Sequence, residues 1–327
     1  MIVDFINVGY GDSILIEDRK KIILIDGGGN REDMYCQPGV VRTIDYLREK
    51  NIKKIDIVII THFHEDHICG LVPVIEQMPI GQIWFNVLEK NIPSDFLKRI
   101  KDINDDKLEL FIKGIESYID IINIAKNRQI PLIEMGKCRP CEGIELLGDN
   151  EEQLELYRMK LGRFFYEKDK KKLLEEAYYI DQTANKHSLV VKIKGNDGYA
   201  LLMSDRIIDS NAANNNIYGK LYDSSRILSL LYHISHQSGQ PDSNRIKLLK
   251  LPHHGQTGCI TTEMLEKIRP ENVVITSDNN NTFGGGALDV INKINNFYRA
   301  NSISGKVYVT GKEEQDGRYK SNISFNI

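Results

Sequence analysis

Cysteine is scarce in this sequence, and no apolar run approaches the length of a membrane span. The five cysteines, Cys36, Cys69, Cys138, Cys141 and Cys259, are odd in number and scattered over 327 residues. That distribution argues against a disulfide framework and suits a reducing cytoplasm. Only "KCRPC" spaces two of them closely. It has neither a second CxxC for a zinc ribbon nor the flanks of a thioredoxin-like motif, so Cys138 and Cys141 read as free thiols in a loop. The basic n-region of a signal peptide is missing too, because "MIVDFINVGYGDSILIE" starts as a strand. A large charge of one sign is also absent. The formal net charge of −3 points to neither a histone-like nucleic-acid binder nor an acidic disordered tail, although local patches remain compatible with it. The expectation is a cytoplasmic protein without membrane association.

What is present is an ordinary globular composition, 41% hydrophobic and 27% charged, with enough chain for a sizeable core. "IVDFINV", "SILIE" and "IILID" read as a meander of strands separated by a Gly-rich turn and a charged turn. Val40, Val41, Ile44 and Leu47 follow at helical spacing. "KIDIVIIT" is an unbroken aliphatic run of the kind covered on both faces. The second half repeats this order. "HSLVVKIKGNDGYALLMSD" reads as a hairpin, a helical stretch follows around 219–236, and "RIKLLKLPHHG" is again a strand that ends in histidines. "NVVITSD", a helix over 287–299, "GKVYVT" and "SNISF" complete the pattern. The order predicts one α/β domain over residues 1–327, built of two sheet-and-helix halves, with a charged helical insertion at about 150–180.

The most informative stretch is "IDIVIITHFHEDHICGL". Three of the chain's eight histidines fall within six positions at the end of a core-type strand. In extended chain His62 and His64 point to the same side. Asp66 and His67 sit where the chain turns into a helix, so they can converge from another angle. Two imidazoles plus an acid–imidazole pair can serve two adjacent cations, and such ligands suit zinc, manganese or iron.

The H-x-H-x-D-H pattern resembles the signature of the metallo-β-lactamase-like hydrolases. "VGYGDSILI" and "ILIDGG" resemble the opening of one branch, the hydrolase domain of ComEC-type DNA-uptake proteins and their soluble relatives. "HSLVVKI…YALLMSD" and "LLKLPHHG" resemble that branch's later motifs. The resemblance implies an αββα four-layer sandwich of two mixed sheets with two divalent metal ions between them, zinc first, manganese or iron as alternatives. It implies His62, His64, Asp66 and His67 as ligands and Asp205 as the acid bridging both ions. It also implies Asp26 behind the site, accepting an imidazole N–H.

His253 follows its strand at the same step that His62 follows "VIIT" and is assigned to the metal. His254 is then left to contact substrate or to protonate a leaving group alongside Asp66. The opposite assignment stays open because strand ends are uncertain by a residue. His187 is the candidate for the remaining histidine position, with Asn185 as the alternative.

One departure stands out. "SDNNNTFGGGALDV" carries Gly284-Gly285-Gly286 where the branch has a Gly-His-Pro, although Ser277 and Asn281 remain. The resemblance implies a phosphodiesterase or nuclease with a nucleic acid or nucleotide substrate. A small-molecule ester, thioester or lactone hydrolase and a vestigial metal-binding interaction module are the alternatives. In "FFYEKDKKKLL", Lys168, Lys170, Lys171 and Lys172 lie beside Phe164, Phe165 and Tyr166 and can track a single strand. The neighbouring Glu167, Asp169, Glu175 and Glu176 make a solvated helix face the plainer reading.

Overall fold

Alternation along the strands decides the layers. Val3 and Phe5, Ile23 and Ile25, and Ile57 and Ile59 face one buried side, while Ile6, Leu24, Val58 and Ile60 face the other. The computed structural model describes residues 1–18, 21–134, 143–207, 245–278, 280, 282–311 and 322–327. Among these, the first half runs β1 (Ile2–Ile6), β2 (Ile14–Asp18), β3 (Lys21–Ile25), α1 (Glu32–Tyr35), α2 (Thr43–Glu49), β4 (Ile55–Ile60), α3 (Glu65–Ile68), α4 (Leu71–Gln77) and β5 (Ile80–Phe85). Then come α5 (Phe96–Lys101), α6 (Glu109–Asn127), β6 (Leu132–Glu134), β7 (Ile144–Leu147), α7 (Glu151–Tyr166) and α8 (Lys170–Ala184). The second half holds β8 (Val190–Lys194), β9 (Tyr199–Leu202), β10 (Ile246–Lys250), α9 (Thr262–Ile268), β11 (Asn272–Ile275), α10 (Leu288–Ala300), β12 (Lys306–Val309) and β13 (Asn322–Asn326).

One sheet has the order β13-β1-β2-β3-β4-β5-β6 and the other β12-β11-β10-β9-β8-β7. Both are mixed: β1, β2 and β3 pair antiparallel, β3 to β6 parallel, and in the second sheet β7-β8-β9 pair antiparallel and β9 to β12 parallel. Val3, Phe5, Ile57, Ile59 and Trp84 of one sheet meet Leu189, Val191, Leu202, Leu248 and Val274 of the other in a shared core. Helices cover the two outer faces. The result is a four-layer αββα sandwich, as the family resemblance implies. The parallel strands of both sheets end toward the segments that carry His62 and His254, the edge where open α/β sheets place their sites.

The expected helical segment at about 150–180 forms α7 and α8, but its aromatics are not available at the surface. Phe164 and Phe165 are fully buried, with ring centroids 5.0 and 4.9 Å from Phe96. Their burial is worth roughly 1.5–3 kcal/mol each, so the core takes them in preference to a stacking role. Of that aromatic group only Tyr166 stays exposed. The helical stretch expected at 219–236, the Cys138/Cys141 pair and Asn281 lie outside the described residues.

Candidate metal centre

β4 delivers the histidines. Its aliphatic alternation continues past Ile60, so Phe63 turns into the helix-side core against Phe111 and Tyr118. His62 and His64 turn the other way, their ring centroids 4.8 Å apart. α3 then begins at Glu65 and brings His67 back, its ring centroid 4.2 Å from that of His62. Gly11 lets the first loop press onto this turn. Its φ is +139°, and a Cβ there would stand 2.3 Å from the Asp66 carbonyl oxygen. Asp12 donates its backbone N–H to that same oxygen at 3.1 Å.

The second sheet brings Asp205, three residues past β9, and the Pro252–Gly255 corner past β10. Ser204 ties the halves together, donating from Oγ to Thr61 Oγ1 at 2.8 Å. Its carbonyl accepts from His253 N at 3.0 Å and from Lys250 Nζ at 2.9 Å.

Three sets of donor atoms converge, each within 4.8 Å: Asp66, His67, Asp205 and His254; His62, His64 and Asp205; and, behind them, Asp12, Asp26 and His67. Asp205 belongs to the first two. Second partners decide which imidazole nitrogen is left for a cation. His67 donates from Nδ1 to Asp26 Oδ2 at 2.8 Å, and His254 donates from Nδ1 to the Thr276 carbonyl at 2.9 Å, so both present Nε2. His64 donates from Nε2 to the Asp181 carbonyl at 3.2 Å and presents Nδ1. Asp26 is itself fixed by Thr61, whose N and Oγ1 donate to it at 2.9 and 2.6 Å.

His62 Nε2 is buried with no hydrogen-bond partner, and Asp205 Oδ1 faces only the imidazole nitrogens of His67 and His254, each 3.2 Å away. Buried polar atoms are rarely left so. Imidazole nitrogens and carboxylate oxygens with open lone pairs fit divalent cations of the zinc, manganese or iron type. The titration behaviour matches. Burial, reinforced by His67 and His64, holds His62 well below the ordinary imidazole value. Burial opposes charge on His67 and His254 as well, but the carboxylates outweigh it. Asp205 and Asp66 hold His67 well above its usual range, and Asp205 leads in raising His254 to about 9. In turn, against their own burial, Asp66 and Asp205 are held well below the usual carboxylate range by these two imidazoles.

Two expected positions differ. His254, not His253, enters the cluster, with Nε2 3.1 Å from Asp66 Oδ2 and 3.2 Å from Asp205 Oδ1. The reason is backbone. His253, His254 and Gly255 all adopt positive φ, at 48°, 52° and 71°, so the chain coils at the strand end instead of continuing the alternation. His253 is left at the rim, Nε2 3.8 Å from Asp205 Oδ2 and 3.3 Å from Asn185 Nδ2. His187 is not in the cluster at all. Its Nδ1 donates to Asp149 Oδ2 at 2.6 Å and its ring stacks on Tyr157 at 3.8 Å. Asn185, the alternative, has a buried Oδ1 without a hydrogen-bond partner.

Other residues emerge only from the fold. Asp181 of α8 reaches His64, Oδ1 3.4 Å from Nε2. Thr276 donates to Asp12 at 2.5 Å, and Lys250, wholly buried, pairs with Asp12 while its Nζ stands 4.0 Å from Asp205. A lysine in an aliphatic strand, "IKLLKL", was the available signal for a buried ion pair.

Residues 6–123 match the family model described as the metallo-beta-lactamase superfamily, and the architecture is a two-sheet αββα sandwich. Comparison with curated proteins gives no match. Among solved structures, the chain is similar to Igni18, a metallo hydrolase from the archaeon Ignicoccus hospitalis, at 14% identity and a TM-score of 0.48 over 100% of both chains. It is similar to Tm1679, a metal-dependent hydrolase of the beta-lactamase superfamily, at 11% identity and 0.48 over 100% of this chain and 99% of that one. YhfI from Bacillus subtilis, a metallo-beta-lactamase fold protein, stands at 10% identity and 0.45 over 99% and 98%. Among the described residues no helix is long and apolar enough to cross a membrane.

Proposed function

We propose that this chain is a metal-dependent hydrolase that cleaves phosphodiesters, with a nucleotide or nucleic acid as substrate. The observation that carries the reading is Asp205, common to two donor sets, with the buried His62 Nε2 of one set left without a hydrogen-bond partner. His62, His64 and Asp205 would hold one cation and Asp66, His67, Asp205 and His254 the other. Bound there, two divalent ions supply an activated water and draw charge from the substrate's oxygens.

The protein's own groups do the rest. Asp26 and the Thr276 carbonyl orient His67 and His254. Asp66, ionised and partly accessible, is placed to accept a proton from an attacking water. His253, which burial keeps below the ordinary imidazole value, is neutral at the rim and offers one N–H to a substrate oxygen. The ComEC-like motifs "VGYGDS" and "LPHHG" support the phosphodiester reading.

A specific observation favours a small substrate or a strand terminus over a long tract. α8 closes on the site through Asp181 and His64, and its neighbouring phenylalanines are buried. The test is a panel of a chromogenic phosphodiester, dinucleotides, single-stranded DNA, a lactone and a thioester, run with the cation-loaded protein and its Asp205→Asn variant. Turnover of diesters lost by at least about a thousandfold in the variant supports the reading. Turnover of only the lactone or thioester replaces it.

A further inference from the structure

One rim of the centre carries chemistry that the cation cluster does not use. Tyr10, between Gly9 and Gly11, lays its ring over His254 with centroids 4.4 Å apart. Its hydroxyl accepts from Gln256 Nε2 at 2.8 Å, so its own proton is free to be donated. Beyond Tyr10 stands Phe283, its ring 5.2 Å from that of Tyr10 and edge-on to it.

Phe283 is 57% exposed, a large apolar side chain turned out of the core. Its backbone is left-handed, with φ 51° and ψ 20°, an uncommon conformation for an aromatic residue. The described residues on either side of it are hydrogen-bonded to the site. Gly286 N donates to the His254 carbonyl at 2.8 Å, Ala287 N to the Gly255 carbonyl at 3.1 Å, and Thr282 N to Asp278 at 2.8 Å. Gly285 packs so closely that a Cβ would meet Ser277 Oγ at 2.4 Å and Tyr10 Cε2 at 3.0 Å. A strained backbone held by the very loop that presents His254, and spent on exposing an aromatic face, has the form of a functional constraint.

We propose that Phe283 and Tyr10 form a recognition subsite. Phe283 stacks a planar ring of the substrate, a nucleobase, and Tyr10 donates a hydrogen bond from its hydroxyl to the phosphoryl group carried on the sugar of the same nucleotide. This rests on the phosphodiesterase reading and narrows it to substrates with a base next to the scissile phosphate. Stacking of a base on an aromatic side chain is sequence-tolerant, so the subsite selects for a ring and not for one base.

The experiment is equilibrium binding, which needs no turnover. Adenosine 5′-monophosphate and ribose 5-phosphate are titrated calorimetrically into the cation-loaded protein, with cation content measured for every variant. The wild type is expected to favour the nucleotide by roughly tenfold or more, and Phe283→Ala to lose most of that margin while Phe283→Trp keeps it. Tyr10→Phe is expected to weaken both ligands alike, by about three- to tenfold, with cation content unchanged. Equal binding of the two ligands by the wild type, or a margin intact in Phe283→Ala, overturns the stacking role. Unaltered affinities in Tyr10→Phe overturn the hydroxyl's. A protein that shows the ring preference and hydrolyses no diester keeps the subsite and loses the phosphodiesterase reading. One that hydrolyses diesters without the preference does the reverse.

Discussion

Lys250 and Asp12 form an ion pair beneath the centre with no solvent-exposed surface on the lysine. The pair joins β10 to the loop that follows β1, and so spans both sheets. Asp12 passes the constraint on, accepting from Thr276 Oγ1, whose carbonyl fixes His254. Removing one partner leaves an uncompensated buried charge, which costs about 3–5 kcal/mol. Lys250→Met and Asp12→Asn are each expected to lower urea-denaturation stability by that order, and the double variant to recover part of the loss. Full additivity of the two single losses would show that the pair is not a unit.

Cation content separates the two neighbouring histidines. His254→Ala is expected to lose at least one bound ion per chain, because its Nε2 lies within 3.2 Å of both Asp66 and Asp205. His253→Ala and His187→Ala are expected to retain both. Elemental analysis of the three purified variants checks this, and retention by His254→Ala would restore the assignment of His253.

Loading should release protons. Without cations His254 keeps its proton up to about pH 9, and His67 is also raised well above its usual range, so a binding ion must displace them. Apparent affinity is therefore expected to fall as pH is lowered from 9 to 6, by up to about tenfold per unit for each proton displaced. Calorimetric titration in buffers of differing ionisation heat measures the release. An affinity flat over this range would contradict it.

Asp149 governs part of the acid stability. Burial works against its charge, but His187 and Arg206, whose Nη2 donates to it at 2.6 Å, hold its carboxyl below the usual value. The native value is depressed, so the stability it contributes is full above the unfolded value of about 3.9. It is lost as pH falls through the native one. The gap in urea midpoint between wild type and Asp149→Asn is expected to be wide at pH 6 and to close below about pH 4. A gap that does not change with pH would remove Asp149 from the acid transition.

The strands and the first donor group were legible because both are local. "IDIVIITHFHEDH" states its own alternation, and the period-two rule puts His62 and His64 on one side. The second half resisted where geometry departs from regular strand. Three successive positive φ values at His253, His254 and Gly255 reverse the direction that alternation predicts. His187 looked like a ligand by position alone. Its partner Asp149 lies 38 residues away and becomes its neighbour only when β7 pairs with β8. Phe164 and Phe165 read as surface beside lysines, yet the α7 face that carries them is the one that closes the core.

Anomalous diffraction from crystals grown with zinc or manganese tests the central claim most directly. The account predicts two peaks, one on each side of Asp205 and about 3.5–4 Å apart, one beside His62 and His64 and the other beside Asp66, His67 and His254. A single peak away from Asp205, or none at full occupancy of the crystal by the ion elsewhere, would contradict it.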